Sequence, residues 1–168
     1  GWIRAMKGHL PDLNDLKFKD GDSLRYSLFA ETTDRVLLFG TNGRFYTIMA
    51  DNIPRGRGHG EPLRLIIELP NDHDFISLYL FKPRQKILLA SDDGRGFLAV
   101  TDELVAQTKA GRQIMNLSEQ SRAAICVPAV GDSIAVVGTN RKLLIFPTLE
   151  LPELTRGKGV ILQKYKDA

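Results

Sequence analysis

A chain of 168 residues that is 43% hydrophobic can bury one good core or two small ones, and its single cysteine, Cys126, excludes an intrachain disulfide framework and fits a reducing cytoplasm. No apolar run approaches the ~20 residues a membrane helix needs. The formal net charge is only +3, so an anionic partner is implied only if the basic residues share one face.

Residues 1–8 place a charge inside an apolar stretch without a cleavage-site pattern, so they are not a signal peptide. They read as a strand whose hairpin partner is cut away, and with no initiating methionine the chain is expected to be an excised fragment. Loop 7–21 and a strand over 23–29 follow. The first full hairpin is Leu37-Leu38-Phe39-Gly40, a turn at Thr41-Asn42-Gly43-Arg44, then Phe45-Tyr46-Thr47-Ile48-Met49. Apolar runs flanking a polar pair suited to positive φ are a hairpin signature.

After loop 54–60, strands are expected over 63–69 and 75–81. The hairpin then recurs as Leu88-Leu89-Ala90-Ser91, Asp92-Asp93-Gly94-Arg95 and Phe97-Leu98-Ala99-Val100. Residues 101–110 suit a helical turn or two, followed by loop 109–112 and strands over 113–117 and 123–130. A third copy runs Ala135-Val136-Val137-Gly138, Thr139-Asn140-Arg141-Lys142, Leu143-Leu144-Ile145-Phe146, with loop 156–159 and a strand over 160–162 after it. Four short strands per unit describe propeller-like blades, an all-β domain with units at about 1–33, 34–83, 84–131 and 132–168. Residues 36–40, 87–91 and 134–138 should be equivalent strands.

The repeat puts basic residues at one structural position: Arg44, Arg95, and Arg141 with Lys142. Either these are solvated turn residues, or they form a row that follows a phosphate backbone. As exposed turn residues they should be replaceable at little cost in stability. Glycine-flanked cations form a second set, Arg55 and Arg57, Lys109 and Arg112, Arg156 and Lys158, where glycine lets backbone amides approach phosphate oxygens. Arg4 and Lys7 of the opening strand and its loop complete the candidate phosphate-binding residues.

Catalytic and metal chemistry find little support. His9, His59 and His73 are isolated from one another and from Cys126, so no metal-ligand spacing exists. Asp72-His73-Asp74 fits a polar loop between units better than a cation site. No serine sits in a Gly-x-Ser-x-Gly elbow, Cys126 falls in an expected buried strand, and Trp2, the phenylalanines and the tyrosines suit core packing.

In order and spacing, several segments resemble the C-terminal domains of the A subunits of DNA gyrase and topoisomerase IV. They are Gly1-Trp2-Ile3-Arg4-Ala5-Met6-Lys7-Gly8-His9, Gly43-Arg44-Phe45-Tyr46-Thr47-Ile48, Arg57-Gly58-His59-Gly60-Glu61-Pro62-Leu63, Leu88-Leu89-Ala90-Ser91-Asp92, and Phe146-Pro147 through Leu151-Pro152-Glu153-Leu154 to Gly157-Lys158-Gly159. The resemblance covers almost the whole chain and is closer to the topoisomerase IV side. The glutamine-led basic heptapeptide of gyrase has only the echoes Arg55-Gly56-Arg57-Gly58-His59-Gly60 and Arg156-Gly157-Lys158-Gly159, both lacking the glutamine.

The resemblance implies a β-pinwheel, with strands exchanged between neighbouring blades and a basic rim that binds and bends duplex DNA. It places the strand-cleaving tyrosine in a separate N-terminal region, so the fragment itself is expected to be no enzyme and to need no cofactor. ATP and Mg would act through other domains of a type II topoisomerase. Implied partners are double-stranded DNA, two ATPase B subunits and a second A subunit, in the bacterial cytoplasm with no membrane. Of about five blades, this chain is expected to hold three hairpins and a partial one, as an open arc. The alternatives are gyrase-like DNA wrapping and a propeller-type protein-interaction scaffold, which the low net charge favours and the recurrent turn cations oppose.

Overall fold

The computed structural model describes residues 1–8, 13–14, 16–56 and 58–164. All three expected hairpins form. Strand β2 (Arg35–Gly40) pairs with β3 (Arg44–Met49), β6 (Lys86–Ser91) with β7 (Arg95–Val100), and β10 (Ser133–Val137) with β11 (Leu143–Pro147). The first strand of each of the first two hairpins is an apolar run because both of its faces are covered. Along β2, Val36 and Leu38 pack with Tyr46, Ile48, Leu63 and Ile67, whereas Leu37 and Phe39 turn to the opposite face. There they meet Ile87, Leu89 and Phe97 of the next hairpin, and Phe39 stacks on Phe45 at 4.5 Å between ring centroids.

A third strand joins each of the first two hairpins on the same side, β5 (Phe75–Leu80) on β2 and β9 (Ala123–Pro128) on β6. The fourth strand is exchanged. Strand β8 (Arg112–Gln113) follows β7 in sequence but pairs with β3 of the preceding unit, and β12 (Val160–Ile161) follows β11 but pairs with β7. In the same way β4 (Glu61–Pro62), after β3, pairs back with β1 (Trp2–Ile3). The results are two four-stranded antiparallel sheets, β5-β2-β3-β8 and β9-β6-β7-β12, and two two-stranded ones. The described residues contain no α-helix, only short 3-10 turns such as Ala50–Asn52 and Thr101–Glu103.

Each exchanged strand has only two residues, so its ladder cannot hold it alone. The β8 crossing is anchored instead by Ile114 and Met115, both 0% exposed, whose amides donate to the Gly43 carbonyl at 3.1 and 3.0 Å. Burying two such side chains contributes about 1.5–3 kcal/mol each. The crossing also needs a residue without a Cβ. Gly111 sits at φ +73°, where a Cβ would lie 2.6 Å from the Phe45 carbonyl and 2.8 Å from the Tyr46 ring. Gly60 (φ +90°) and Gly159 (φ +76°) repeat the arrangement against the carbonyls of Ile3 and Gly96.

Five expectations change. Residues 23–29 are not a strand: they form an extended strap that hydrogen-bonds through side chains, Arg25 to the Phe75 carbonyl at 2.9 Å and Tyr26 to the Ile76 carbonyl at 2.7 Å. Residues 63–69 open with a 3-10 turn, Leu63–Leu65, whose buried Leu63 faces the core. Residues 113–117 shorten to β8, and 101–110 to one 3-10 turn. Trp2 is not core: it is 47% exposed, with the Lys19 ammonium 3.9 Å above its ring.

Candidate nucleic-acid interface

The hairpin turns meet the glycine-bearing crossings at 109–116 and 156–163, because each of these two crossings passes the turn of the preceding unit. The Ile114 and Met115 amides bond to the Gly43 carbonyl, the Gly157 amide to the Ile114 carbonyl, and the Asn116 amide to the Gly157 carbonyl. Further along, the Leu162 amide bonds to the Gly94 carbonyl and the Gln163 side chain to the Lys142 carbonyl. This chain of contacts connects the three turns with the crossings that carry Lys109, Arg112, Arg156 and Lys158.

The candidate cations are not equivalent. Arg44 is half-buried, and its guanidinium donates to the Ala110 carbonyl (2.8 Å), the Gly111 carbonyl (3.0 Å) and Gln113 Oε1 (3.2 Å). It therefore differs from the solvated turn residue expected from its position. Arg4 reaches the carbonyls of Gly58 (3.0 Å) and Lys17 (3.4 Å). Arg55 is paired with Asp51, Arg112 with Glu103 at 3.3 Å, and Arg156 Nε donates to Asn116 Oδ1 at 3.1 Å. Arg95 stands beside Asp93, whose carboxyl is held below its ordinary range chiefly by the Ser91 hydroxyl, with a smaller contribution from Arg95.

Lys7, Lys109, Arg141, Lys142 and Lys158 are exposed, and their charged groups make no hydrogen bond or ion pair with the described residues. Arg57 lies outside the described residues. Lys164 is a cation that sequence reasoning misses. It comes to the third turn because its neighbour Gln163 bonds to Lys142, a contact with no local signal.

The glycines of the basic loops divide similarly. At Gly60, Gly111 and Gly159 the positive φ and the missing Cβ serve the crossing, since a backbone carbonyl of the neighbouring unit fills the space. Gly56 and Gly58, in contrast, have open space where a Cβ would stand. They flank a small cleft of about 140 Å³ lined by Arg4, Arg55 and Glu61.

Two other groups have internal roles. His73 Nδ1 is 2.9 Å from Thr41 Oγ1, and Asp74 accepts from Arg25 at 2.7 Å. Burial alone would raise the Asp74 carboxyl, but the bonds from Arg25 and the Phe75 amide outweigh it and hold it below the usual range. Cys126 is buried on β9, and burial pushes its thiol up to about 12. Tyr79 donates to the Cys126 carbonyl across the unit boundary, and its phenol is likewise pushed up to about 12 by burial.

Comparison with known proteins agrees with this architecture. The family model described as DNA gyrase C-terminal domain, beta-propeller, matches residues 85–122 and 132–168. The A subunit of DNA topoisomerase 4 from Caulobacter vibrioides is 50% identical over 167 residues, 99% of this chain, which spans only 22% of that protein. The solved E. coli ParC C-terminal domain superposes with a TM-score of 0.84 at 33% identity, covering 95% of this chain and 66% of that one. A second structure, the C-terminal domain of DNA topoisomerase IV, shares the fold with a TM-score of 0.81 at 20% identity, over 96% of this chain and 53% of the other. With its exchanged fourth strands, its all-antiparallel blades and these relatives, the chain belongs to the gyrase A and topoisomerase IV A-subunit family, as a C-terminal β-pinwheel domain of the topoisomerase IV kind.

Proposed function

We infer that this domain binds duplex DNA through its phosphates along the turn edge and bends it. In a topoisomerase IV it would thereby present a segment for ATP-dependent strand passage, decatenation and supercoil relaxation. The observation that carries this reading is the set of exposed cations Lys7, Lys109, Arg141, Lys142 and Lys158, which have no partner among the described residues and are distributed over successive units. Ammonium and guanidinium groups without internal acceptors are free to replace the counterions of a phosphate backbone, and such contacts position DNA without reading its bases. The relatives' name adds weight, since a topoisomerase acts on DNA.

On this reading the four units near 1–33, 34–83, 84–131 and 132–168 form one DNA-binding domain. The chain contributes binding and no strand cleavage. ATP, Mg, two B subunits and a second A subunit belong to the larger enzyme in the bacterial cytoplasm. The test is fluorescence anisotropy of labelled duplexes of unrelated sequence over a salt series. Similar affinities that fall linearly on a log–log plot are expected; affinity insensitive to salt defeats the reading.

One observation favours a protein scaffold instead. The β10–β11 hairpin exposes Val137 (70%), Leu143 (59%) and Ile145 (61%), an apolar surface with no affinity for phosphate. A domain that binds no duplex at low salt would leave this reading in the lead.

A further inference from the structure

The three hairpin turns are copies of one design, yet they present different chemistry. Each closes with the same backbone bond, Gly43 to Gly40 (2.9 Å), Gly94 to Ser91 (3.0 Å) and Arg141 to Gly138 (2.9 Å), and each puts its third residue in the left-handed region. In the first two turns that residue is glycine, at φ 75° and 79°. In the third it is Arg141, at φ 66°.

A side chain in this region strains the backbone, and only glycine occupies it freely. Nothing in the packing requires the Arg141 side chain, which is exposed and without a partner among the described residues. A strained residue with no packing role, on an edge read as a binding surface, points to a use for the side chain itself. Its neighbour Lys142 is likewise exposed and unpaired, so the third turn offers two free cations and no carboxylate. The second turn places Asp93 beside Arg95, and in the first the guanidinium of Arg44 is already engaged by two carbonyls and an amide oxygen of the crossing strand.

We propose that the equivalent turns have divided their work: the Arg141–Lys142 turn grips the phosphate backbone, while Arg44 is a positioning residue that clamps the 109–113 crossing and touches no DNA. The inference rests on the DNA-binding reading above. It predicts an asymmetric path, with the duplex held most firmly at the β10–β11 end. Arg44 acts through the crossing, keeping exposed Lys109 on the edge.

The test uses the 168-residue chain with three variants, R141G, R44K and R44Q, each measured for melting temperature and for the slope of log K against log salt on a 30-base-pair duplex. R141G relieves strain and removes one contact. It should melt about 1–3 °C higher while binding roughly five- to tenfold more weakly at 0.1 M salt, with the slope flatter by about one unit. R44K keeps the charge but loses the planar fork that reaches three acceptors. It should melt several degrees lower with an unchanged slope; failure to fold is the extreme of the same loss. An R141G chain with wild-type affinity and slope overturns the proposal. So does an R44K chain with wild-type stability together with an R44Q chain whose slope flattens. A wild-type chain whose binding ignores salt refutes the underlying DNA reading, which the variants' melting temperatures do not address.

Discussion

Replacing Gly111 with alanine tests the strand exchange at its tightest point. Two costs add at this site. The backbone is at φ +73°, where an L-residue loses about 1–2 kcal/mol. The new Cβ would also lie 2.6 Å from the Phe45 carbonyl and 2.8 Å from the ring of Tyr46, a residue that is 0% exposed and cannot swing away. Overpacking of that kind costs typically about 1–3 kcal/mol. The sum, about 2–5 kcal/mol, is a large share of the ~5–15 kcal/mol by which domains are stable. For a chain of this size it corresponds to a fall of roughly 4–20 °C in melting temperature.

Gly58 supplies the control, because it has ordinary backbone geometry and nothing within 4 Å of its ideal Cβ position. Gly58→Ala should change stability by less than about 1 kcal/mol and in the favourable direction. Thermal unfolding followed by far-ultraviolet circular dichroism measures both. If Gly111→Ala melts within a degree of the wild type, the crossing tolerates a side chain, and the account of why glycine recurs at positions 60, 111 and 159 is wrong.

Cys126, buried with its thiol pushed up to about 12, should not react with a thiol reagent at pH 8 in the folded chain and should react fully in denaturant; rapid labelling of the native protein would contradict its placement. Asp74 has a folded pKa below its ordinary value, so its ion pair with Arg25 stabilises above the ordinary carboxylate range and is lost as pH falls through the folded value. Asp74→Asn should accordingly weaken the chain at pH 7 more than at pH 3. The effect will be small, because both side chains are about half exposed (49% and 52%) and solvent screens the pair. The isolated chain should leave supercoiled plasmid unrelaxed with or without ATP and Mg, and relaxation by the pure chain would overturn its assignment to binding alone.

The hairpins were legible in sequence because their determinants are local. Apolar runs such as Val36 to Phe39 mark strands buried on both faces, and Asn42-Gly43 or Asp93-Gly94 supplies the turn. The exchanged strands were not legible from spacing. Their two-residue ladders bear no periodic signature, and the pairing of Arg44 with Gln113 spans 69 residues. The same distance hid the fate of Arg44, since its acceptors lie 66 to 69 residues away and nothing beside it announces them. The strap over 23–29 has the composition of a strand but spends its polar groups on carbonyls of β5 through side chains, an alternative that composition does not distinguish from a ladder. Trp2 misled for a related reason: aromatic content predicts burial only when another layer covers the ring, and a single ammonium covers this one.

How many cations remain free sets how steeply binding responds to salt. If every described candidate touched a phosphate, the eleven residues Arg4, Lys7, Arg44, Arg55, Arg95, Lys109, Arg112, Arg141, Lys142, Arg156 and Lys158 would give a slope of about −10 in log K against log salt. The internal acceptors of Arg4, Arg44 and Arg156, and the ion pairs of Arg55 and Arg112, take five of them out. The six without a partner among the described residues, half-buried Arg95 included, predict a slope of about −5.4. At ~0.15 M salt each contact is then worth about 1 kcal/mol relative to 1 M, or about 6 kcal/mol together. That offsets the ~1–6 kcal/mol for bending 20–30 base pairs by 40–90°, with no surplus at the sharp end of the range. A bend nearer 40° than 90° follows, measurable by energy transfer between dyes at the ends of a 30-base-pair duplex. A slope steeper than about −8 would mean that the paired arginines leave their partners to meet DNA. The edge would then be remodelled by binding, and the division between clamp and contact would fail with it.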